Sequence, residues 1–359
     1  MRYLSFLLLL LSSTAFAQKT ENVILITLDG YRWQELFTGA EQRLMSKEYL
    51  ATDSAALAKQ FWADTPEQRR EKLMPFMWNV VAKQGQLYGN RAYNNFVNVS
   101  NKQWFSYPGY SELLCGFPDD ARIHSNDKFA NPNTNVLEFI QKQPKFAGKV
   151  AAFSSWDCFP FIINSERSKV PVNAGITETS GNPNDREKWL NEIMHQVPNP
   201  LGEVRLDAFT FNYAFEYLKK NKPRVLYLAL DETDDFAHGG KYDLYLRAAN
   251  YTDQFFKTLW DWCQSDPQYR AKTTMIITCD HGRGSINKDD WRHHGIEMQN
   301  SDQIWVAVIG PDTAASGEIK VPGQLFQNQV ARTISRLLGL DYQNNPAPGQ
   351  PLGTVIGSK

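Results

Sequence analysis

The chain has 359 residues, 42% of them hydrophobic, and a formal net charge of −1. That apolar content is ample for a large packed core, and the length fits one large α/β domain or two smaller ones. The charge is balanced, with no block of one sign, so nothing favours a nucleic-acid polymer or an anionic membrane as partner.

At the N-terminus, Arg2 precedes an apolar run over 6–11, and Ala15-Phe16-Ala17 fits a small-x-small cleavage site. The pattern predicts a signal peptide over 1–17 and an exported chain, periplasmic or secreted, over 18–359. The apolar run is too short to span a bilayer, and no later run approaches that length, so no membrane span is expected in the mature chain.

A strand is predicted over 23–28, closed by Asp29-Gly30. Such an aspartate either caps the turn or ligates a metal, and the glycine would let the backbone approach a ligand closely. Residues 39–101 mix helical, charged and aromatic character and read as an insertion. Next, Ser106-Tyr107-Pro108-Gly109-Tyr110-Ser111-Glu112 reads as a helix start, with Ser106 as its cap and Pro108 in the first turn. A hydroxyl there sits in positive potential, which favours its alkoxide and a bound phosphate. Ser106 is the candidate nucleophile and Ser111 the reserve.

A second strand is predicted over 149–153, followed by Trp156-Asp157, then a Pro/Asn/Gly-rich insertion over 159–206. The third strand, 225–230, runs into Asp231-Glu232-Thr233-Asp234-Asp235-Phe236-Ala237-His238. Asp234 and His238, four apart, share one face of a helical turn and either share a metal or form a surface pair. An amphipathic helix follows, with Leu244, Ala248, Tyr251, Phe255, Leu259 and Trp262 at steps of three and four. The fourth strand, 275–278, ends in Cys279-Asp280-His281-Gly282, where burying Asp and His is costly unless they are paired or metal-bound. His293-His294-Gly295 lies in the loop beyond, before a strand over 304–309. A helix over 326–338 stops at Gly339. Of the six histidines, four fall in these strand-end segments, which concentrates metal-binding side chains at one place.

Short, mostly apolar strands with long helical connections predict a mostly parallel sheet covered on both faces, a three-layer α/β sandwich with inserted cap segments. The four cysteines, Cys115, Cys158, Cys263 and Cys279, are too widely spaced for a small disulfide framework. Cys115 and Cys279 are expected free and packed, and a Cys158–Cys263 bridge is left open.

In this order, the segments resemble the alkaline phosphatase superfamily, especially its nucleotide pyrophosphatase/phosphodiesterase branch. Asp29-Gly30 resembles the first metal aspartate, Asp234-x-x-x-His238 the Asp/His ligand pair, Asp280-His281-Gly282 the Asp-His-Gly motif, and His294 the late histidine. Ser106, two before Pro108, keeps the spacing of the branch's nucleophilic threonine. The Asn-His that follows the proline in that branch is absent, and no Cys-x-Pro-x-Arg sequence of the sulfatase type surrounds Cys115. The resemblance implies one metal held by Asp234, His238 and His294 and another by Asp29, Asp280 and His281. Imidazole ligands favour zinc, then manganese. It further implies a small phosphate ester as substrate, a phosphodiester or phosphomonoester, hydrolysed through a phosphoserine. An asparagine some twenty residues past the nucleophile would hold a phosphoryl oxygen; Asn126 fits, with Asn131 in reserve. Trp156, with Tyr31, Trp33, Phe105 and Tyr107, could stack on a leaving group or pack in the core. The alternatives are a phosphotransferase or mutase, for which Ser111-Glu112 speaks, and a non-catalytic metal- or phosphate-binding relative.

Overall fold

The computed structural model describes residues 19–50 and 52–355; the signal peptide expected over 1–17 lies outside them. Eleven strands occur among the described residues: β1 Asn22–Leu28, β2 Gln86–Tyr88, β3 Asn95–Asn98, β4 Val150–Ser154, β5 Val172–Ala174, β6 Val225–Leu230, β7 Thr273–Thr278, β8 Gln303–Ile304, β9 Val306–Ile309, β10 Gly317–Glu318 and β11 Gly323–Phe326. Eight form one sheet in the order β10-β2-β9-β7-β1-β6-β4-β5, parallel except for β9. A small second sheet has the order β11-β3-β8.

Every residue of β1, β4, β6 and β7 is buried, so helices cover both faces, as a near-continuous apolar strand demands. Helices Asp207–Asn221 and Tyr242–Ser265 pack together, and the first lies on β4 and β6; Ser106–Cys115 packs with Gln329–Leu337. The expected α/β architecture with a mostly parallel sheet is therefore present. Register sets the site. Leu28 pairs with Leu230, Thr27 with Thr278, and Ser154 with Ala229. Asp29, Asp231, Cys279-Asp280 and the Ser155-Trp156 turn consequently leave the sheet at one edge, the carboxyl ends of parallel strands where α/β ligand sites form.

Several boundaries differ from the sequence reading. The run over 304–309 breaks at Trp305: β8 pairs with β3 and β9 with β7, and the Trp305 indole donates to the Tyr31 carbonyl at 2.9 Å. Residue 326 ends a strand instead of starting the helix, which runs over Gln329–Leu337. The two stretches read as insertions each contribute to sheets, residues 39–101 through β2 and β3 and residues 159–206 through β5. All four cysteines are free and buried. No described helix is long and apolar enough to cross a membrane.

Candidate metal centre

Asp29, Asp280 and His281 converge at the ends of β1 and β7, and all three are buried. His281 Nε2 lies 3.2 Å from Asp29 Oδ1 and 3.4 Å from Asp280 Oδ2. Each of the three has its outer atom already bonded. Asp29 Oδ2 accepts from the Tyr110 hydroxyl at 2.9 Å, Asp280 Oδ1 accepts from the Gly30 N–H at 3.0 Å, and His281 Nδ1 donates to the Gly282 carbonyl at 2.8 Å. The last bond leaves the Nε2 lone pair facing inward in the neutral ring. Among the described residues, Asp29 Oδ1 and Asp280 Oδ2, both buried, have no hydrogen-bond partner beyond the facing His281 nitrogen. Two orphaned carboxylate oxygens around an imidazole nitrogen fit a divalent cation in size, charge and chemistry.

A second set sits beside the first. His238 Nε2 lies 3.2 Å from Asp234 Oδ2 and 2.9 Å from His294 Nε2, which is 3.5 Å from Asp234 Oδ1. These atoms belong to helix Glu232–His238 and to the loop after β7, so the four-residue spacing does place Asp234 and His238 on one face. His281 Nε2 is 4.0 Å from Asp234 Oδ1, which makes the two sets contiguous. The His238 side chain is 43% exposed, whereas those of Asp29 and His281 are 2% and 0%. The site therefore opens on the His238 side and is closed at Asp29.

The electrostatics show what these charges cost one another. Burial raises the Asp29 and Asp280 carboxyls, and each is raised further by neighbouring aspartates. Burial opposes a charge on His281, but Asp280, Asp29 and Asp234 outweigh it and push the ring up to about 9. Burial also works against an ionised Asp234, yet Arg283, His294 and His238 hold it well below the usual carboxylate range. Burial drives His294 down, which keeps its ring neutral.

Ser106 opens helix Ser106–Cys115 and is buried. The expected cap is not formed: Phe105 is the N-cap residue and supplies no side-chain bond. Ser106 Oγ lies instead 3.4 Å from His281 Nε2, beside the first ligand set. Gly109 explains how the helix comes so near, since a Cβ there would stand 2.4 Å from the Asp280 carbonyl oxygen. Ser111 and Glu112 face elsewhere. Ser111 Oγ accepts from the Asn131 amide at 3.0 Å, and Glu112 clasps the Ser100 and Asn101 N–H groups. Asn131 is fully buried there, its Oδ1 accepting from the Asn133 N–H at 2.9 Å. Asn126 stays at the helix mouth and accepts the Tyr107 N–H at 2.9 Å.

Trp156 is half-buried in the turn after β4 and bridges to Val204. Lys128 Nζ ties its neighbour Asp157 (2.7 Å) to Glu203 (2.8 Å), which holds the Asn126 and Trp156 loops together. Trp33 and Phe105 are also half-buried, but Tyr31 and Tyr107 are core residues, and the Tyr107 ring stacks on Phe129 at 5.0 Å.

Sequence reasoning missed Tyr110 and Arg283. Tyr110 lies four residues, one helical turn, past Ser106. Arg283 directly follows Asp280-His281-Gly282; it is buried, donates to the carbonyls of Gly30 (3.1 Å) and Arg292 (2.9 Å), and contacts the Asp234 carboxylate. Helical spacing and adjacency were the available signals, but a tyrosine and an arginine at such places have many ordinary uses.

A family model described as Sulfatase matches residues 96–340, a span that holds Ser106 and every ligand candidate except Asp29. No curated protein matches the chain. Among solved structures, the alkaline phosphatase PafA is similar at TM-score 0.59 and 12% identity, over 94% of this chain and 99% of that one. The lipoteichoic acid synthase LtaP from Listeria monocytogenes is similar at TM-score 0.59 and 12% identity, over 91% and 74%. The phosphonate monoester hydrolase SpPMH from Silicibacter pomeroyi is similar at TM-score 0.56 and 12% identity, over 93% and 76%. At these identities the likenesses speak for the fold alone.

Proposed function

The chain belongs to the sulfatase family of the alkaline phosphatase superfamily, and from that premise we propose that it is an exported hydrolase of small phosphate esters acting through two divalent metal ions and Ser106. The observation that carries this reading is Ser106 Oγ at 3.4 Å from His281 Nε2, beside the two orphaned oxygens of Asp29 and Asp280. Asp29, Asp280 and His281 would hold one ion, and Asp234, His238 and His294 the other, with zinc favoured over manganese by the imidazoles. Bound there, the ions would acidify the serine hydroxyl and stabilise charge on the leaving oxygen.

The chain's own groups supply the rest. Ser106 Oγ gives up its proton and attacks phosphorus, the phosphorus–oxygen bond to the alcohol breaks and the alcohol leaves protonated. Water then cleaves the bond to the serine, releasing phosphate from a monoester or a monoester from a diester. Ser106 stands at the first position of its helix, where the N–H has no intrahelical partner and the local potential is positive. Asn126 spends its carbonyl on the Tyr107 N–H, which leaves its NH2 as donor for a non-bridging oxygen. Trp156, half-buried on the same sheet edge, is proposed to line the leaving-group side.

Phosphate is preferred over sulfate because Ser106-Tyr107-Pro108-Gly109-Tyr110 carries a tyrosine where the formylglycine-forming sequence of sulfatases has its arginine. The family match is what favours sulfate esters as the second reading. Purified protein with zinc or manganese should be assayed on an aryl phosphomonoester, an aryl phosphodiester, a dinucleotide and an aryl sulfate. Turnover of a phosphate ester is the expected outcome; turnover of the sulfate alone would replace phosphate with sulfate. Turnover of none by metal-loaded protein would leave a binding protein, and transfer to an added alcohol would mark a phosphotransferase.

A further inference from the structure

Helix Ser106–Cys115 carries, one turn after Ser106, a tyrosine that is fully buried and ends on a ligand candidate. The Tyr110 hydroxyl donates to Asp29 Oδ2 at 2.9 Å. Its ring is wedged edge-on against Phe159 at a centroid distance of 4.7 Å, which fixes where the hydroxyl points. The other oxygen of the same carboxylate, Oδ1, is the buried atom without a partner, 3.2 Å from His281 Nε2. The Asp29 backbone is held separately: its carbonyl accepts the Thr233 hydroxyl at 2.5 Å, and its N–H donates to the Leu230 carbonyl at 2.9 Å. Neither bond touches the carboxylate, so, the ligand candidate His281 apart, the orientation of the side chain is left to the phenol.

We propose that Tyr110 is a positioning residue for the buried metal site: its hydroxyl takes one Asp29 oxygen and thereby turns the other toward the cation as a single-oxygen ligand. The inference rests on the metal reading above and deepens it. Residues 106 and 110 share a helix face, so the same side chain that aims Asp29 also ties the serine's helix to the ligand set. Asp280 is divided in the same way by the Gly30 N–H, but that donor lies at a positive φ that proline cannot adopt, so it cannot be removed cleanly. Apart from the ligand candidate His281, Tyr110 is the one side chain among the described residues that hydrogen-bonds the Asp29 carboxylate. Groups bonded behind a metal ligand typically govern affinity by about 10- to 100-fold.

The test uses the full-length mature protein, stripped with a chelator and titrated with zinc against a chromogenic competitor. Tyr110→Phe keeps the ring and removes only the hydroxyl. Tyr227→Phe is the matched control, since its buried hydroxyl bonds Thr27 Oγ1 at 3.1 Å and no ligand. Wild type and Tyr227→Phe should bind two zinc ions alike. Tyr110→Phe should bind one ion as before and the other about 10- to 100-fold more weakly, with a melting temperature close to that of Tyr227→Phe. Two unchanged affinities in Tyr110→Phe overturn the inference and leave the metal reading standing. Wild type that takes up no zinc overturns both. Equal weakening in both tyrosine variants assigns the effect to packing and also overturns it.

Discussion

Gly109→Ala is a small change with a large expected consequence. The added Cβ would stand 2.4 Å from the Asp280 carbonyl oxygen, 3.0 Å from its carbon and 3.3 Å from its Cβ, where ordinary contact begins at 3.4 Å. The oxygen is backbone at the end of β7, with the Gln327 amide bonded to it at 2.8 Å, so it has no rotamer by which to move. The helix must therefore withdraw by about 1 Å to restore ordinary contact, carrying Ser106 and Tyr110 with it. A shift of that size at a reacting atom costs up to ~10²-fold in rate. Overpacking costs about 1–3 kcal/mol, and replacing a helical glycine by alanine returns about 1 kcal/mol. The net expectation is a stability loss of about 1 kcal/mol with a ~10²-fold fall in kcat. Turnover of an aryl phosphate ester and a urea unfolding midpoint measure the two effects. An alanine variant that is more stable than wild type and equally active would refute the close docking of this helix on the metal site.

Other outcomes follow from the same geometry. Arg283→Met leaves Asp234 without its buried cation and should destabilise the metal-free protein by about 3 kcal/mol, read by denaturant unfolding; a loss below about 1 kcal/mol would mean the pair matters little. Asn126→Ala should raise KM or lower kcat at nearly unchanged stability. Asn131→Ala, which unties Ser111 and Asn133, should cost about 1–2 kcal/mol of stability and leave kcat near wild type; the opposite split would exchange their roles. In the metal-free chain His281 keeps its proton up to about pH 9, and a metal must displace it. Zinc affinity should thus rise with pH, by up to about tenfold per pH unit for this one proton, between about pH 6.5 and 8.5, and a flat competition titration over that range would contradict a metal on this ring.

The positions of Asp29 and of Asp280-His281 were legible because each follows a mostly apolar strand. A run such as residues 23–28 can end only at the sheet edge, and parallel register brings those edges together. The helical turn at 234–238 was legible by spacing. What stayed hidden depends on three-dimensional proximity. Ser106 looks like a cap in sequence, but its hydroxyl turns toward His281 while Phe105 occupies the cap position. Asn126 and Asn131 are equivalent by spacing, and only packing shows that Asn131 is consumed behind the helix. The strand switch at Trp305 has no signature in a continuous apolar run. The short strands β2, β5 and β10 have two or three residues each, too few to show a period. Tyr110 and Gly109 read as ordinary helical residues until their neighbours across the chain, Asp29 and Asp280, are known.

The central claim is tested most directly by Ser106→Ala in metal-loaded protein, with kcat, metal content and unfolding measured on one preparation. Ser106 makes no capping bond and, among the described residues, its hydroxyl reaches only His281, so folding should change by less than about 0.5 kcal/mol. The account predicts two bound ions, a wild-type unfolding curve, and a kcat on phosphate esters lowered by at least about 10³-fold, since attack through the serine would be gone. A folded, metal-loaded Ser106→Ala protein that keeps near wild-type kcat would contradict it.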